Sequence, residues 1–132
     1  MIFSEALKKN KDFQFIYRNG KSYGNKYLVM YVYRNENNEK KGIKMNRIGI
    51  SVSKKVGNSV VRHRLTRLIR ESYRLNEKKF VGGLDVIVIA RPGAKERNFF
   101  EIESALLHLA KIHGILKKEE TTDIKEEKND KT

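Results

Sequence analysis

The sequence predicts an α+β sandwich, in which helices pack against one sheet. Residues 84–90 are almost all apolar, as expected of a strand that is covered on both faces. Residues 61–75 and 99–116 instead repeat apolar side chains at helical spacing. With the shorter segments that precede them, they give the order helix, strands, helix, strand, helix. The 132 residues fit one ordinary domain with its own core.

The first predicted helix is short and has a start and a stop signal. Asn10 can cap its N-terminus, and Phe13, Ile16 and Tyr17 then share one side of the helix. Gly20 can end it in a left-handed conformation, which glycine adopts without steric cost. We therefore expect the helix to cover part of the sheet with an aromatic side.

Two strands are predicted next, with a mobile loop at 34–46 between them because that segment is polar and charged. Residues 27–33 alternate, so one face of the first strand is mainly aromatic and the other is aliphatic. The two faces carry, respectively, Tyr27, Val29, Tyr31 and Tyr33, and Leu28, Met30 and Val32. Residues 47–52 are rich in β-branched side chains and predict the second strand.

A basic amphipathic helix is predicted over residues 61–75, after a turn that ends in a cap at Asn58 or Ser59. At about 100° per residue, one stripe lies within roughly 80° of Val61 and is built to pack on a core. Its members are Leu65, Leu68, Ile69, Ser72 and Leu75. The other side is almost wholly cationic, with Glu71 as its one acid. The basic side chains of this segment are Lys54, Lys55, Arg62, Arg64, Arg67, Arg70 and Arg74, with His63 among them.

The C-terminal third predicts a strand, a turn, a helix and a tail. Residues 76–83 connect the basic helix to the apolar strand, which we expect to be central in the sheet, and the turn at 91–94 contains the one proline. The last helix has its apolar side at Phe99, Ile102, Leu106, Leu109 and either Ile112 or His113. We expect residues 1–116 to form the domain and residues 117–132 to be a charged, disordered tail.

Composition favours a polyanionic partner. The formal net charge is +13, and a field of that sign concentrates polyanions near the surface. Nucleic acid is the first expectation and an anionic membrane surface the second. The chain has no cysteine, which excludes disulfides, thiolate nucleophiles and cysteine-type zinc sites and suits a reducing cytoplasm. It also has no apolar run of 18 residues and no signal-peptide pattern at its start.

The basic helix also carries a recognisable motif. Its centre reads Arg62-His63-Arg64-Leu65-Thr66-Arg67-Leu68-Ile69-Arg70. This segment resembles the signature of the bacterial ribonuclease P protein subunit, which runs Arg-Asn-Arg, one residue, Lys-Arg, two residues, Arg. His63 replaces the usual Asn and Thr66 the usual Lys. The resemblance extends from about Leu7 to about Leu116 and includes the strands at 47–53 and 86–90 and the turn at 90–94.

The resemblance implies a fold and an activity. The fold is an αβββαβα sandwich with a mixed sheet and a left-handed βαβ crossover around the basic helix. The activity is that of ribonuclease P, an endoribonuclease that removes the 5′ leader of precursor tRNA. In that family the chemistry is carried by a catalytic RNA subunit that uses magnesium, so the expected partners are ribonuclease P RNA and precursor tRNA. No membrane and no obligate protein partner are expected.

The resemblance also implies two binding surfaces, each of which suits its residues. Arginine offers planar donors for phosphates, so the basic segment is expected to bind the catalytic RNA through its backbone. Its RNA-binding residues are Lys54, Lys55, Arg62, His63, Arg64, Arg67, Arg70 and Arg74. Phe13, Tyr17 and Tyr31 match family positions that line a cleft, where unpaired leader bases could stack. Each of these aromatic residues could also serve simply as core.

Other readings of the residues are weaker. His63 has no nucleophile or carboxylate assigned beside it, His108 and His113 are five residues apart rather than the four that suit a helical zinc pair, and the acids of residues 1–116 are scattered. No catalytic and no metal-binding residue is therefore assigned to the protein. A general RNA-binding protein without a processing role and a DNA-binding helix remain the alternatives.

Overall fold

The computed structural model describes residues 1–118, so the predicted tail falls almost entirely outside the described residues. Within them, two one-turn 3-10 helices lie at Glu77–Lys79 and Pro92–Ala94. The strands are β1 (Ser4–Ala6), β2 (Lys21–Gly24), β3 (Leu28–Arg34), β4 (Glu39–Lys40), β5 (Ile43–Lys44), β6 (Asn46–Ser51) and β7 (Leu84–Ala90). The α-helices are α1 (Asn10–Asn19), α2 (Ser59–Asn76) and α3 (Phe99–His113).

Five strands form one mixed sheet in the order β1-β6-β7-β3-β2. β6 is parallel to both β1 and β7, whereas β3 is antiparallel to both β7 and β2. The predicted α+β sandwich and the mixed sheet are therefore confirmed, and the αβββαβα order holds once β1 and the small β4–β5 hairpin are added. β6, α2 and β7 make the expected βαβ unit; its left-handedness stays a prediction from the family.

Helices cover the two faces of this sheet unequally. The larger core lies between the sheet and the pair α2 and α3, and it includes Met30, Val86, Val88 and Leu106. A smaller cluster forms on the opposite face, where Leu7, Ile16 and Ile87 are buried beneath α1. β7 lies between β6 and β3 and contributes to both clusters. Its nearly continuous apolar sequence follows from burial on both sides.

The predicted signals around α1 were wrong in detail. Lys9, not Asn10, precedes the first helical residue, and no side chain caps this end. Gly20 follows α1 with an extended backbone, φ −83° and ψ 162°, so the helix does not end in a left-handed residue. Glycine is needed there for space: a Cβ at Gly20 would lie 2.7 Å from the carbonyl oxygen of Ile16 and 3.0 Å from that of Val32. The chain can thus turn directly from α1 into β2.

The segment predicted to be a mobile loop has regular structure. β4 and β5 pair as a short hairpin, with Glu39 opposite Lys44. Gly42, at φ +78°, occupies the hairpin turn, where glycine is favoured. Two side chains at the base of this segment, Asn35 and Asn38, bind a buried carboxylate on β7. The polar composition of residues 34–46 suggested a mobile loop. Composition could not show that the amides of Asn35 and Asn38 bind partners 46 or more residues away in the chain.

The residues of α2 predicted to pack on the core are correct in the middle of the helix and wrong at its C-terminal end. Leu65, Ile69 and Ser72 are buried, but Leu75 is 56% exposed, so its assignment to the core was wrong. Tyr73 takes part in the core instead, with its ring edge-on to Phe80 at 4.9 Å. Asn58 accepts a hydrogen bond from the Val61 amide at 3.0 Å, which settles the choice of cap.

The open choice on α3 is settled in favour of His113. Its Nε2 lies 2.9 Å from the carbonyl oxygen of Met30, and its ring packs edge-on against Tyr23 at 4.7 Å. Ile112 is exposed. Burial lowers the pKa of His113, with a smaller opposing effect from the bond to Met30. This histidine is therefore part of the packing between α3 and the β2–β3 edge of the sheet.

Asp85 is a buried charge at the centre of the sheet. Its carboxylate accepts two hydrogen bonds from Arg47, at 2.8 and 2.7 Å, and one each from Asn38 and Asn35, at 2.6 and 3.1 Å. Arg47 also reaches Asp12 of α1 at 3.3 Å. Burial opposes ionisation of Asp85, but these donors hold its pKa below the ordinary value.

This network predicts how stability changes on Asp85→Asn. The free energy of unfolding at pH 7 should fall by about 3 kcal/mol, because the substitution leaves Arg47 with one partly exposed acid. The pKa of Asp85 is lower in the folded protein than the value of about 3.9 in the unfolded chain. The ionised carboxylate therefore stabilises the fold above that pH, and this stabilisation is lost as the pH falls through the folded-state pKa. Urea unfolding at pH 7 and at pH 3 should show that the free energy of unfolding decreases less with acid in Asp85→Asn than in wild type. Asp12→Asn is the milder control. An equal acid loss in Asp85→Asn and wild type would contradict this role.

Candidate nucleic-acid interface

The basic surface follows from the way α2 packs. Leu65 and Ile69 are wholly buried against the core, so the opposite side of the helix faces solvent. Arg62 is half-buried, and the other predicted RNA-binding residues are exposed: Lys54, Lys55, His63, Arg64, Arg67, Arg70 and Arg74. The structure therefore gathers all eight on one continuous stretch, from the turn before α2 to its last turn.

The arginines of this surface differ in what they bind within the protein. Arg64 donates to the carbonyl oxygens of Arg97 at 2.8 Å and Lys95 at 3.3 Å, so it holds the turn before α3. Arg74 pairs with Glu71, one turn earlier on the helix, and its Nε lies 3.0 Å from that carboxylate. Part of the predicted set is thus already committed to contacts within the chain.

Arg62, whose Nε is buried, has no side-chain partner in the described residues, and Arg67 and Arg70 are the two exposed arginines of the helix that are likewise uncommitted. Neither has a hydrogen-bond or ion-pair partner within residues 1–118. With Arg64, Leu68 and Glu71 they line a hollow of about 480 Å³. Their guanidinium groups can therefore meet an anion without first breaking a protein contact.

Thr66 has an internal partner in place of an outward one. Its hydroxyl donates to the carbonyl oxygen of Arg62, one turn earlier in α2, at 2.8 Å. A lysine at this position could instead extend towards a phosphate. Thr66 stands where the family signature usually has lysine. The surface therefore has one cation fewer, and Arg67 and Arg70 remain.

The aromatic residues predicted to line a cleft do meet on the other face of the sheet. Phe13 and Tyr17 project from α1, and Tyr31 rises from β3; all three are half-buried. The rings of Tyr17 and Tyr31 meet edge-on with centroids 5.0 Å apart, and Phe13 lies 6.3 Å from Tyr17. Burial raises the pKa of Tyr17, while its interaction with the Ser51 side chain acts in the opposite direction.

Phe13 is positioned by a glycine that sequence reasoning did not select. A Cβ on Gly49 of β6 would lie 2.6 and 2.8 Å from two carbons of the Phe13 ring. The ring therefore lies against bare backbone, and α1 comes close to the sheet at this point. Phe13 therefore packs against the sheet, and its role as a wall of the leader cleft stays a prediction.

α1 has ten residues and does not cover the whole face of the sheet on which it lies. Beyond Tyr31 the same face continues across three paired strands with the half-buried residues Val29, Ile89 and Ser51. Lys54 and Lys55 follow Ser51 after the end of β6. Along the chain, the strand that carries part of the aromatic face therefore leads directly into the first lysines of the basic segment. Strand register, which the sequence alone did not give, was the missing signal for these three residues.

The described residues offer other sites little support. Within residues 1–118 no group of three or more His, Asp and Glu side chains is arranged to hold a metal ion. No helix in this part of the chain is both long and apolar enough to cross a membrane. His113 binds the β3 backbone and does not face His108, whose Nδ1 lies 3.2 Å from the Asn25 amide nitrogen.

Comparison with known proteins gives a consistent family. A family model described as Ribonuclease P matches residues 2–114. The ribonuclease P protein component of Lachnoclostridium phytofermentans is 58% identical over 117 residues, which covers 89% of this chain and 96% of the relative. That of Alkaliphilus metalliredigens is 53% identical over 109 residues, covering 83% and 93% of the two chains.

Solved structures are similar as well. The Staphylococcus aureus RNase P protein matches with a TM-score of 0.74 and 40% identity, over 85% of this chain and 97% of that one. The Thermotoga maritima RNase P protein matches with a TM-score of 0.70 and 32% identity, over 81% and 96%. Both similarities extend over nearly the whole of the neighbouring chain.

The contact between Gly49 and Phe13 predicts a coupled pair of substitutions. Gly49→Ala should lower the free energy of unfolding by about 1–3 kcal/mol, because the added methyl group forces the ring and α1 away from the sheet. In the double variant with Phe13→Ala the methyl group gains space, so the combined loss should be smaller than the sum of the single losses. Urea unfolding of the four proteins measures this, and additive losses would contradict the contact.

Proposed function

This chain belongs to the ribonuclease P protein family, and from that premise we propose that α2 holds the catalytic RNA while the aromatic cleft holds the 5′ leader of precursor tRNA. The chain is the protein subunit of ribonuclease P, and it acts with ribonuclease P RNA in removing the leader to give the mature 5′ end of tRNA. The proposal concerns which residues bind each RNA and where the chemistry takes place.

The observation that carries the proposal is the separation of two chemically different surfaces by one sheet. Cations on α2 lie on one side, and aromatic rings between α1 and β3 lie on the other. Phosphate-rich, folded RNA suits the first surface, because it presents its backbone to planar donors. Unpaired bases suit the second, because every base has a face that can stack on an aromatic ring.

On α2, Arg67 and Arg70 would make the most direct contacts with the catalytic RNA. They are exposed and have no partner in the described part of the chain, so binding costs no internal contact. Lys54, Lys55, Arg62, His63 and Arg74 extend the same surface. Arg64 would contribute by holding the turn at 95–97 and would add its charge to the field.

In the cleft, Tyr31 and Tyr17 would provide stacking planes for leader bases, with Phe13 as the wall that fixes α1. Stacking on an aromatic side chain is worth about 1–3 kcal/mol per base and depends little on base identity. A cleft of this kind suits a protein that meets many leader sequences. Lys54 and Lys55 stand where the leader would pass from the cleft towards the catalytic RNA.

The hydrolytic chemistry would be carried by the RNA subunit with magnesium held by that RNA. The exposed surface of α2 is strongly cationic, and such a field favours phosphates over divalent cations. We place the holoenzyme in the cytoplasm, where its tRNA precursors are made. Residues 1–116 would act as the RNA-binding domain, with residues 117–132 as a charged tail.

Processing of precursor tRNA tests this function. The catalytic RNA should cleave a 5′-extended precursor much faster at near-physiological magnesium with the protein than without it, and the protein alone should be inert. If the protein bound the RNA tightly and left cleavage unchanged, a general RNA-binding role would replace the processing role. If the protein cleaved the precursor by itself, the assignment of the chemistry to RNA would be wrong.

Charge removal on α2 should separate Arg67 from Arg64. Arg67→Ala should weaken binding of the catalytic RNA roughly tenfold and reduce the salt dependence by about one phosphate contact, with unchanged thermal unfolding. Arg64→Ala should also lower the unfolding temperature, because it releases the carbonyl oxygens of Lys95 and Arg97. Charge reversal at either position should weaken assembly further. Filter binding at several salt concentrations measures the affinities, and thermal unfolding measures the stabilities, with Lys111→Ala as control. Equal effects of Arg67→Ala and Arg64→Ala on unfolding would contradict the distinction.

Tyr31→Ala should spare assembly and weaken precursor binding. Removing the ring should lower affinity for precursor tRNA about 5- to 100-fold, corresponding to the stacking energy of one base, while affinity for mature tRNA stays the same. Tyr33→Ala is the matched control, since Tyr33 lies on the same face of β3 but packs edge-on against Phe15 at 5.0 Å. Equal loss of affinity for precursor and mature tRNA in Tyr31→Ala would refute the cleft assignment.

A further inference from the structure

A second hollow is lined by none of the residues of the two surfaces described above. It has a volume of about 510 Å³, within the range of about 300–1,000 Å³ typical of small-molecule pockets. Its walls are the turn between β2 and β3 and the outer side of α3. The residues that matter to the argument are Asn25, Lys26, Tyr27, Phe100, Ser104 and His108.

The hollow contains an aromatic plane that the fold does not use. Phe100 is 74% exposed, the highest value of any aromatic side chain in the described part of the chain, although it sits on a helix with a well-packed inner side. Its ring meets Phe99 edge-on at 5.5 Å, which leaves a face of the ring open to solvent. An exposed phenylalanine adds nothing to the core and is suited to stacking.

Polar groups around this ring are fixed in place. The Asn25 amide nitrogen donates to the carbonyl oxygen of Ala105 at 2.9 Å, and its oxygen accepts from the amides of Tyr27 and Leu28. The Asn25 amide nitrogen also lies 3.2 Å from Nδ1 of His108. Because an amide nitrogen only donates, Nδ1 accepts, and Nε2 of His108 carries the proton and can donate. The histidine therefore presents a defined donor beside the open ring.

The hollow also offers one free cation. Lys26 is exposed and has no ion-pair partner among residues 1–118, so it is available to a phosphate. The acid in the wall, Glu101, is taken up by Arg97 at 3.3 Å and by the amide of Asn98 at 3.1 Å. The site thus combines a stacking plane, a donor and a free cation, which together fit a nucleotide.

Three contacts join this hollow to the basic surface of α2. Arg64 holds the carbonyl oxygens of Lys95 and Arg97, and the guanidinium carbon of Arg97 lies 5.3 Å from the centre of the Tyr27 ring. Tyr27 is itself part of the wall. The turn at 95–97 therefore forms a bridge across the end of α3 from one site to the other.

We propose that the hollow between the β2–β3 turn and α3 binds an unpaired nucleotide of the catalytic RNA, with its base stacked on Phe100. Nε2 of His108 donates to the base, and Lys26 contacts the phosphate. The catalytic RNA is the source, because the hollow continues the α2 surface and lies on the side of α3, whereas the leader cleft lies beneath α1. This inference rests on the proposed role of α2 and extends it around the protein.

Binding of the catalytic RNA to full-length variants tests the proposal. Phe100→Ala should weaken the affinity about 5- to 100-fold, whereas Phe100→Tyr, which keeps the ring, should bind like wild type. Ile112→Ala is the matched control, since Ile112 is also an exposed apolar residue of α3 and lies outside the hollow. Wild-type affinity in Phe100→Ala would overturn the proposal.

Chemical probing identifies which RNA is bound. With saturating protein, one or a few unpaired nucleotides of the catalytic RNA should be protected by wild type and become reactive with Phe100→Ala. Changes confined to the precursor leader would overturn the assignment of the source. Should Phe100→Ala also lower the unfolding temperature, Lys26→Ala decides: it should reduce the salt dependence by about one contact, while Lys111→Ala should not.

The outcome is separable from that for α2. If Arg67→Ala weakens binding and both Phe100→Ala and Lys26→Ala leave it unchanged, the hollow is not a nucleotide site and the role of α2 stands. If none of the three variants affects binding, the proposed RNA surface falls together with the hollow.

Discussion

The buried carboxylate of Asp85 is the constraint on which the arrangement of this protein depends. It lies on the central strand, where ionisation is costly unless the charge is fully hydrogen-bonded. Arg47 from β6 and two asparagines from the 35–38 segment supply those bonds, and Arg47 continues to Asp12 on α1. One charge therefore fixes the neighbouring strand, the connection before the hairpin and the helix that forms the cleft.

The position of α1 has a direct functional consequence. Arg47 holds its first turn and Gly49 admits the Phe13 ring, so the helix is pressed close to one part of the sheet. Because α1 has only ten residues, the rest of that face stays open and the ring of Tyr31 lies at the edge of the opening. The open aromatic face, which we propose as the site for single-stranded RNA, thus lies beside a helix that is tightly held and short.

The cationic surface combines two kinds of arginine. Arg67 and Arg70 face outward without partners in the described residues, whereas Arg64 donates hydrogen bonds to the turn before α3. Arg64 thereby ties α2 to a turn that carries two further cations, Lys95 and Arg97. A count of positive charges on α2 would treat these residues alike, although their contacts within the protein differ.

The sequence alone determined much of this protein, because the relevant signals are local. The helical period of apolar residues defined α2 and α3, an almost unbroken apolar run defined β7, and the period in α2 set the outward direction of Arg67 and Arg70. Alternation in residues 28–33 separated the buried Met30 from the half-exposed Tyr31. The motif in α2 by itself indicates the family.

Only the tertiary structure decided which residues meet across long separations in the chain. It replaced Leu75 by Tyr73 in the core, ordered the 34–46 segment through Asp85, and committed Arg64 to the turn at 95–97. It also set Phe13 on Gly49 and brought Phe100 next to the β2–β3 turn. The physical reason is common to all: hydrogen-bond satisfaction and close packing depend on strand register and helix placement, which no local pattern of residues encodes.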